Sequence, residues 1–282
     1  MLVTAGAVGA PGVLILPLQK EFGWATSEIS SALAVRLLLF GLMAPFAATF
    51  MNRFGVRPVA LVALSLIAAS IIGSFFMTQL WQLVLLWGFV LGFGTGLTAM
   101  VLGATVATRW FVQRRGLVVG LLTASTATGQ LVFLPLLAAL TEQVGWRAAM
   151  TFVLGMIALA AVGILALMRD RPADVGLAPF GATQIVPAPA QAASLGAMLA
   201  SPIVALRDAA KTSTFWILFG TFFVCGASTN GLVQTHFVAL CGDYGMAAVT
   251  AASVLPVIGI FDFLGTVGSG WLSDRYASRW QL

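Results

Sequence analysis

Charged residues are scarce in this sequence. Only 8% of its 282 residues are Asp, Glu, Lys or Arg, whereas roughly a quarter of the residues in a typical soluble domain carry a charge. At the same time 60% of the residues are apolar, and the mean hydropathy is +1.02. Because so few polar side chains cannot cover a water-soluble globule, the composition predicts a protein that is embedded in lipid.

Histidine and cysteine, on which many enzymes and metal sites depend, are almost absent. The chain has one histidine and two cysteines, Cys225 and Cys241, whose spacing suits neither a zinc site nor a redox pair. The glycines within 88–96 follow no predicted strand and precede no lysine, so close helix packing explains them better than a nucleotide loop. Since no nucleophile stands with a base, we expect no enzyme, no metal and no cofactor.

Apolar stretches that are long enough to cross a bilayer recur along the chain. A helix needs roughly 20 apolar residues to cross about 30 Å of hydrocarbon. Because unpaired backbone groups cannot remain in lipid, and because runs this long exclude barrel strands, each stretch is predicted to be a transmembrane helix. The eight predicted spans are 1–19, 27–51, 57–77, 80–107, 116–141, 147–168, 213–241 and 247–272.

Most basic residues fall at one end of these spans, which we call the Arg-rich end. Lys20 and Arg147 lie at the opposite end, and Arg36 lies within a span. Lys and Arg collect in cytoplasmic loops, so the Arg-rich end is predicted to be cytoplasmic, and the net charge of +5 does not indicate nucleic-acid binding. The basic residues at the Arg-rich end are Arg53, Arg57, Arg109, Arg114, Arg115, Arg169, Arg171, Arg207, Lys211, Arg275 and Arg279.

A long connection, rich in Pro and Ala, divides the chain into unequal parts. The prediction is a six-helix half at 1–168 with a short first helix, a cytoplasmic linker at 169–212, and the first two helices of a second half at 213–282. Residues 201–211 are predicted to form a short helix. It either lies at the membrane surface with Arg207 and Lys211 near acidic head groups, or is solvated and has no role of its own.

A short motif follows the second span and recurs after the eighth, as a duplicated helical bundle would produce. The first copy starts at Asn52, and the second starts at Asp274. Together with PLQKEFGW closing span one, RRGLVVG opening span five and GWR opening span six, the motif makes the chain resemble the major facilitator superfamily. The resemblance is greatest to the monocarboxylate and oxalate/formate branch. The motif residues are Asn52, Arg53, Gly55 and Arg57 in the first copy, and Gly270, Asp274, Arg275 and Arg279 in the second.

The resemblance implies an all-α membrane bundle of about twelve helices in two halves, of which about eight are present, so the chain looks truncated. It also implies a conformational gate at both copies of the motif. In the first copy Ala48 stands where the family has Gly, and Asn52 stands where the family has Asp. An acidic side chain there would accept charge-assisted hydrogen bonds from a neighbouring helix end or Arg, so we expect Asn52 to weaken the first gate.

Two ionisable residues lie well inside predicted spans, where an unpartnered charge is costly. Arg36 is about ten residues into span two, at about 15 Å depth, in a helix that lines the central cavity in similar proteins. Its planar guanidinium either binds a substrate carboxylate or pairs with backbone carbonyls. Asp262 in span eight either takes up a proton coupled to transport or bonds to a neighbouring helix.

Polar residues also concentrate in span seven. Asn230 and Gln234 are four residues apart, which places them on one face of an α-helix, and His236, the only histidine, follows them. These residues either form a surface that contacts substrate or make hydrogen bonds between helices.

The sequence therefore predicts a secondary active transporter that works by alternating access on a small organic anion such as a monocarboxylate. A coupling proton in symport, a monomeric state and a bacterial inner-membrane location are expected as well. The lipid bilayer and the substrate are the predicted partners. Drug or sugar efflux, an inactive truncated fragment, and a non-transporting receptor or scaffold are the alternatives.

Overall fold

Each predicted span coincides with a helix or a run of helical segments. The computed structural model describes residues 2–98, 100–182, 184 and 195–275. Its helices are helix 1 (Leu2–Phe22), helix 2 (Thr26–Phe54), helix 3 (Val56–Ser74), helix 4 (Leu80–Trp110), helix 5 (Arg115–Gln143), helix 6 (Trp146–Leu167), the linker helix (Leu195–Ala209), helix 7 (Ser213–Cys225, Gly226–Val233 and Gln234–Asp243) and helix 8 (Ala248–Arg275).

Five of these helices are by themselves long and apolar enough to cross a membrane, namely helices 2, 3, 4, 6 and 8. A sixth candidate combines Leu199–Ala209 of the linker helix with Ser213–Thr229 of helix 7, and this pair is bent by 103°. Helix 1 and helix 5 contact each other within the bundle and contain 21 and 29 residues. Helices therefore stand at all eight predicted positions, and five or six of them pass this test for a membrane span.

The first six helices share one hydrophobic core. Its largest buried side chains include Leu14 of helix 1, Leu33 of helix 2, Ile67 of helix 3 and Trp87 of helix 4. A separate cluster joins the two sides of the linker, because Val13 and Leu134 pack with Val238 of helix 7 and Ala252 of helix 8. The two parts of the chain therefore meet through an apolar contact as well as through the polar contacts described below.

Glycines allow helix 4 to pack closely against its neighbours, as the sequence predicted. A Cβ atom on Gly88 would lie 3.3 Å from the backbone oxygen of Ala32, and one on Gly92 would lie 3.3 Å from the Cα of Arg36. A Cβ atom on Gly94 would lie 3.0 Å from the backbone oxygen of Ala63 in helix 3. Close backbone approach of this kind is the usual reason for small residues in membrane helices.

A π-helical turn interrupts helix 4 at Val84–Val90, which the sequence did not predict. Helix 3 supports this turn through two serines. Ser70 Oγ donates to the carbonyl oxygen of Leu86 (2.8 Å), and Trp87 Nε1 donates to Ser74 Oγ (2.7 Å). These bonds pair polar groups of the turn inside the protein, as an irregular backbone within a membrane requires.

At the end opposite the Arg-rich end, helix 1 is tied to helix 6. The Glu21 carboxylate accepts a hydrogen bond from Trp146 Nε1 and forms an ion pair with Arg147 (2.6 Å). The Arg147 guanidinium also lies 4.5 Å from the centre of the Trp146 ring. Burial by itself raises the pKa of Glu21, but the bonds from Trp146 and Arg147 outweigh burial and hold that pKa below its usual value.

We expect the stabilisation by Glu21 to depend on pH. Because its pKa is lowered by folding, this contribution is present above the unfolded pKa of about 4.3 and is lost as pH falls through the folded pKa. Because water screens this partly exposed pair, Glu21→Gln should lower the unfolding temperature in detergent at pH 7 only slightly. The difference from the unmodified protein should shrink toward pH 4.

The matched control is Glu142→Gln, which removes an exposed carboxylate from the same end of the bundle. It should leave the unfolding temperature nearly unchanged. A loss for Glu21→Gln that is equal at pH 7 and pH 4 would contradict the assigned role of the charge.

Candidate functional site

The first copy of the motif connects helices 2 and 3 to the end of helix 6. The backbone N–H of Arg57 donates to Asp170 Oδ1 (2.7 Å), and Arg57 Nη2 donates to the carbonyl oxygen of Leu165 (2.5 Å). The Asp170 carboxylate thus lies at the first turn of helix 3, where free N–H groups and the helix dipole favour a negative charge. This contact lies within the six-helix half.

Gly55 is required at this turn by its backbone conformation and by a close neighbour. Its φ of +97° and ψ of 158° fall in a region that is essentially restricted to glycine. A Cβ atom there would lie 2.6 Å from Asp170 Oδ2. The motif glycine therefore allows the carboxylate to reach the start of helix 3.

Asn52 is also bonded within the first half. Arg109, in the last turn of helix 4, donates through Nη2 to the carbonyl oxygen of Met51 (2.8 Å) and to Asn52 Oδ1 (3.0 Å). Its Nη1 donates to the carbonyl oxygen of Asp170 (3.4 Å). Arg109 thereby joins the last turn of helix 2 to the segment that follows helix 6. Sequence reasoning counted Arg109 only as a topology signal and did not predict this role.

The second copy of the motif makes a different contact, because it reaches across the linker. Asp274 Oδ1 accepts from the backbone N–H of Gly116 (2.8 Å), and Asp274 Oδ2 accepts from that of Leu117 (2.8 Å). Helix 8 therefore caps the start of helix 5 with a carboxylate. Arg275 lies over the ring of Trp271 at 5.2 Å, and Arg279 lies outside the described residues.

Helices 5 and 8 cross closely beside this cap. A Cβ atom on Gly270 would lie 2.5 Å from the backbone oxygen of Gly116, and one on Gly120 would lie 2.9 Å from that of Thr266. An open cavity of about 480 Å³ adjoins the crossing, and Arg115, Asp274 and polar groups of both helices line it. Separating helices 5 and 8 at this crossing would also break the bonds of Asp274 to Gly116 and Leu117.

Arg36 lies inside the six-helix half and is only 4% exposed. Its Nη1 donates to the carbonyl oxygen of Val8 in helix 1 (2.8 Å). Among the described residues the ion pairs are Glu21 with Arg147 and Asp208 with Lys211, so Arg36 and Asp262 do not pair with each other. The structure thus shows a carbonyl partner for Arg36, and this bond is compatible with both roles that the sequence left open.

The other predicted site residues lie in helices 7 and 8 and are not brought together with Arg36 by any described contact. Asp262 is exposed and accepts from Thr266 Oγ1 (3.3 Å), and His236 is half-buried. Asn230 falls in the π-helical segment Gly226–Val233, and Gln234 begins the next α-helical segment, so the regular α-helix assumed for their shared face is interrupted. The side chains of Asn230 and Gln234 lie outside the described residues.

The bundle, the repeated motif and the crossing of helices 5 and 8 agree with the match to a family of known proteins. A family model described as Major Facilitator Superfamily matches residues 1–282. The chain belongs to this superfamily. It is therefore an integral, multi-pass membrane protein of a transporter family, and not an enzyme.

Several relatives are similar over most of this chain. The uncharacterized MFS-type transporter YcxA of Bacillus subtilis (strain 168) is 25% identical over 275 residues, which cover 94% of this chain and 60% of that protein. Monocarboxylate transporter 11 of Homo sapiens is 28% identical over 275 residues, which cover 96% of this chain and 53% of that protein. The membrane sensor protein UhpC of Salmonella typhimurium is 27% identical over 225 residues, which cover 76% and 49%. The chain spans about half the length of these curated relatives.

Gly55→Ala is expected to destabilise the protein strongly. The backbone strain alone costs about 1–3 kcal/mol, and the contact with Asp170 adds to it. Gly163→Ala in helix 6 is the matched control, because no atom lies within 4 Å of the added Cβ. The control should be neutral or stabilising by up to about 1 kcal/mol. Thermal unfolding in detergent measures both, and equal unfolding temperatures would contradict the role of Gly55.

Asp274→Asn is expected to weaken the contact between helices 5 and 8 by about 1 kcal/mol, since the amide has one acceptor oxygen and no charge. The unfolding temperature in detergent should fall accordingly. Asp243→Asn, at the opposite end of the bundle, is the control and should have little effect. If the two variants unfold at the same temperature, the cap does not hold the helices together.

Proposed function

We propose that this protein is a secondary active transporter that carries a small organic anion, such as a monocarboxylate, by alternating access. The observation that carries the proposal is a buried guanidinium, Arg36, inside the helical bundle of a major facilitator protein. Relatives that are named monocarboxylate transporters support the same substrate class.

The chemistry of Arg36 favours an anionic ligand. A charge in the hydrocarbon layer costs at least about 2.5–3.5 kcal/mol on insertion scales, so a buried guanidinium requires partners. The bond to the Val8 carbonyl uses one of its five N–H donors and supplies no negative charge. A carboxylate would supply that charge and two parallel hydrogen bonds, which is the geometry that guanidinium groups prefer.

The Asp274 contact supports a gating role for the second copy of the motif. Alternating access requires the two halves of such a transporter to rock around a central site. A carboxylate that caps helix 5 from helix 8 would hold the Arg-rich end closed and would release it when the halves separate. The first copy, which is bonded within its own half through Arg57 and Asn52, would keep that half rigid.

The proposal also includes coupling of transport to a proton. Asp262 lies within helix 8 and is bonded to Thr266 on the same helix. Because a hydrocarbon environment disfavours a charged carboxylate, Asp262 is a suitable group to take up a proton together with an organic anion. His236 and the polar residues Asn230 and Gln234 of helix 7 would contribute to the substrate path. We further propose that the protein is a monomer in a bacterial inner membrane.

A sensor is the second candidate function. The similarity to UhpC, which is named a membrane sensor protein, supports this alternative. A sensor would bind its ligand at the same Arg36 site but would not move it across the membrane. Binding and flux must therefore be measured separately.

Arg36→Gln tests the substrate class. The protein is reconstituted in proteoliposomes, and uptake of a radiolabelled monocarboxylate is measured with and without an imposed proton gradient. A charge-assisted hydrogen bond contributes about 1.5–3 kcal/mol, so the variant should bind and transport the anion on the order of 10- to 100-fold more weakly. Lys20→Gln, which removes an exposed positive charge at the end opposite the Arg-rich end, is the control and should leave uptake nearly unchanged.

The outcomes separate the alternatives. Uptake by Arg36→Gln equal to that of the unmodified protein would refute the anion role. Uptake of a neutral sugar or a drug in place of the anion would show that the substrate class is wrong. Carboxylate binding without uptake by the unmodified protein would favour the sensor.

A further inference from the structure

The linker helix ends in a bend that is stabilised by specific hydrogen bonds. It meets the first part of helix 7 at an angle of 103°. Trp216 Nε1 donates to the carbonyl oxygen of Ala210 (2.9 Å), and Thr212 Oγ1 donates to that of Ala209 (2.7 Å). Thr212 Oγ1 also accepts from the backbone N–H of Phe215 (3.4 Å), which caps helix 7. These hydrogen bonds connect the two sides of the bend and therefore stabilise its angle.

This angle determines where the linker helix lies. Helix 7 starts at the Arg-rich end and runs into the membrane, so a helix nearly perpendicular to it runs along the membrane surface. Its 15 residues are about 22 Å long at 1.5 Å per residue. The linker helix and helix 7 are together apolar enough for one span, but the bend prevents the two from crossing the bilayer as a straight helix.

The linker helix has an apolar side and a polar side. With about 100° per residue, Leu199, Ile203 and Leu206 fall on one side, and all three are exposed. Ser201 and Asp208 fall on the opposite side, together with one exposed apolar residue, Val204. This pattern is typical of helices that lie in the membrane interface with one side among the acyl chains.

Part of the helix surface is already covered by protein. The linker helix contacts helix 2, and Pro202, which lies beside the apolar side, is buried. Trp216 and Ile217 of helix 7, which follow the bend, are exposed apolar residues as well. Exposed apolar residues therefore stand on both sides of the bend.

Two basic residues stand where the linker helix meets helix 7. Arg207 is exposed in its last turn, and Lys211 follows it at the bend. Lys211 Nζ bonds to Asp208 Oδ1 at 2.7 Å, and both side chains remain more than 60% exposed, so this ion pair leaves Lys211 accessible to another anion. Basic side chains at this level attract anionic lipid head groups.

We propose that the linker helix is a lipid-binding element that inserts its apolar side into the membrane interface at the Arg-rich end. Leu199, Ile203 and Leu206 contact acyl chains, and Arg207 and Lys211 bind the phosphate groups of anionic phospholipids. The helix thereby connects the six-helix half, through helix 2, to the membrane surface at the start of helix 7. This proposal does not depend on the transported substrate.

Site-specific fluorescence tests the insertion. Cys225 and Cys241 are replaced by Ser, and a single cysteine is introduced by Ile203→Cys or, as the matched control on the polar side, by Ser201→Cys. Each variant is labelled with an environment-sensitive dye and reconstituted in liposomes. The label at position 203 should be quenched by spin-labelled lipids, and the label at position 201 should be quenched by iodide in the water phase.

The result also decides between lipid and protein as the partner. A label at position 203 that neither quencher reaches would show that protein covers this side, and the proposal would be overturned. Equal iodide quenching at both positions would overturn it as well, because both sides would then face water.

Head-group binding is tested by changing the charges. In liposomes with an anionic phospholipid, lipid quenching of the label at position 203 should exceed that in zwitterionic liposomes. The variants Arg207→Gln and Lys211→Gln should each reduce this preference about fivefold. Asp208→Asn removes the competing carboxylate next to Lys211 and should maintain or increase the preference. A preference that is unchanged in both Gln variants would overturn the role of the basic residues.

Discussion

The structure depends on one constraint, which is that backbone polar groups in a membrane must be paired without water. A helix pairs the groups in its middle but leaves the first N–H and last C=O groups open. At the Arg-rich end of the described chain, where water also reaches the helix ends, side chains from other helices meet several of them. Asp170 caps helix 3, Asp274 caps helix 5, and Arg109 bonds to the end of helix 2. The helix ends therefore determine how the helices are joined, while apolar packing fills the space between them.

The two copies of the motif make different contacts. Asn52 is neutral, and it accepts a hydrogen bond from Arg109 within its own half. Asp274 is acidic, and it reaches the start of helix 5 from the other side of the linker. A contact within one half persists when the halves move, whereas a contact across the linker must break. Under the proposed mechanism the first copy would therefore remain structural, and the second copy would act as the gate.

The sequence predicted the positions of the helices well, because length and hydropathy are local properties that the bilayer selects directly. It also predicted the close packing of Gly88 and Gly92, since small residues at helical spacing have few other uses in lipid. The role of Arg109 was missed, because its partners Met51 and Asp170 are distant in sequence. The π-helical turn at Val84–Val90 was missed for the same reason, since it is supported by serines of helix 3.

The charged residues differ in how deeply they lie in the protein. This depth distinguishes a residue that can serve in ligand binding from residues that only join helices. The pairs of Glu21 with Arg147 and of Asp208 with Lys211 are well exposed, and water compensates such charges whether or not the pair forms. Arg36 has no such compensation, because it is buried and its described partner is a neutral carbonyl. An anion that enters the bundle therefore gains most at Arg36. The proposed anionic substrate is therefore assigned to Arg36, and not to the other basic residues, most of which lie at the Arg-rich end.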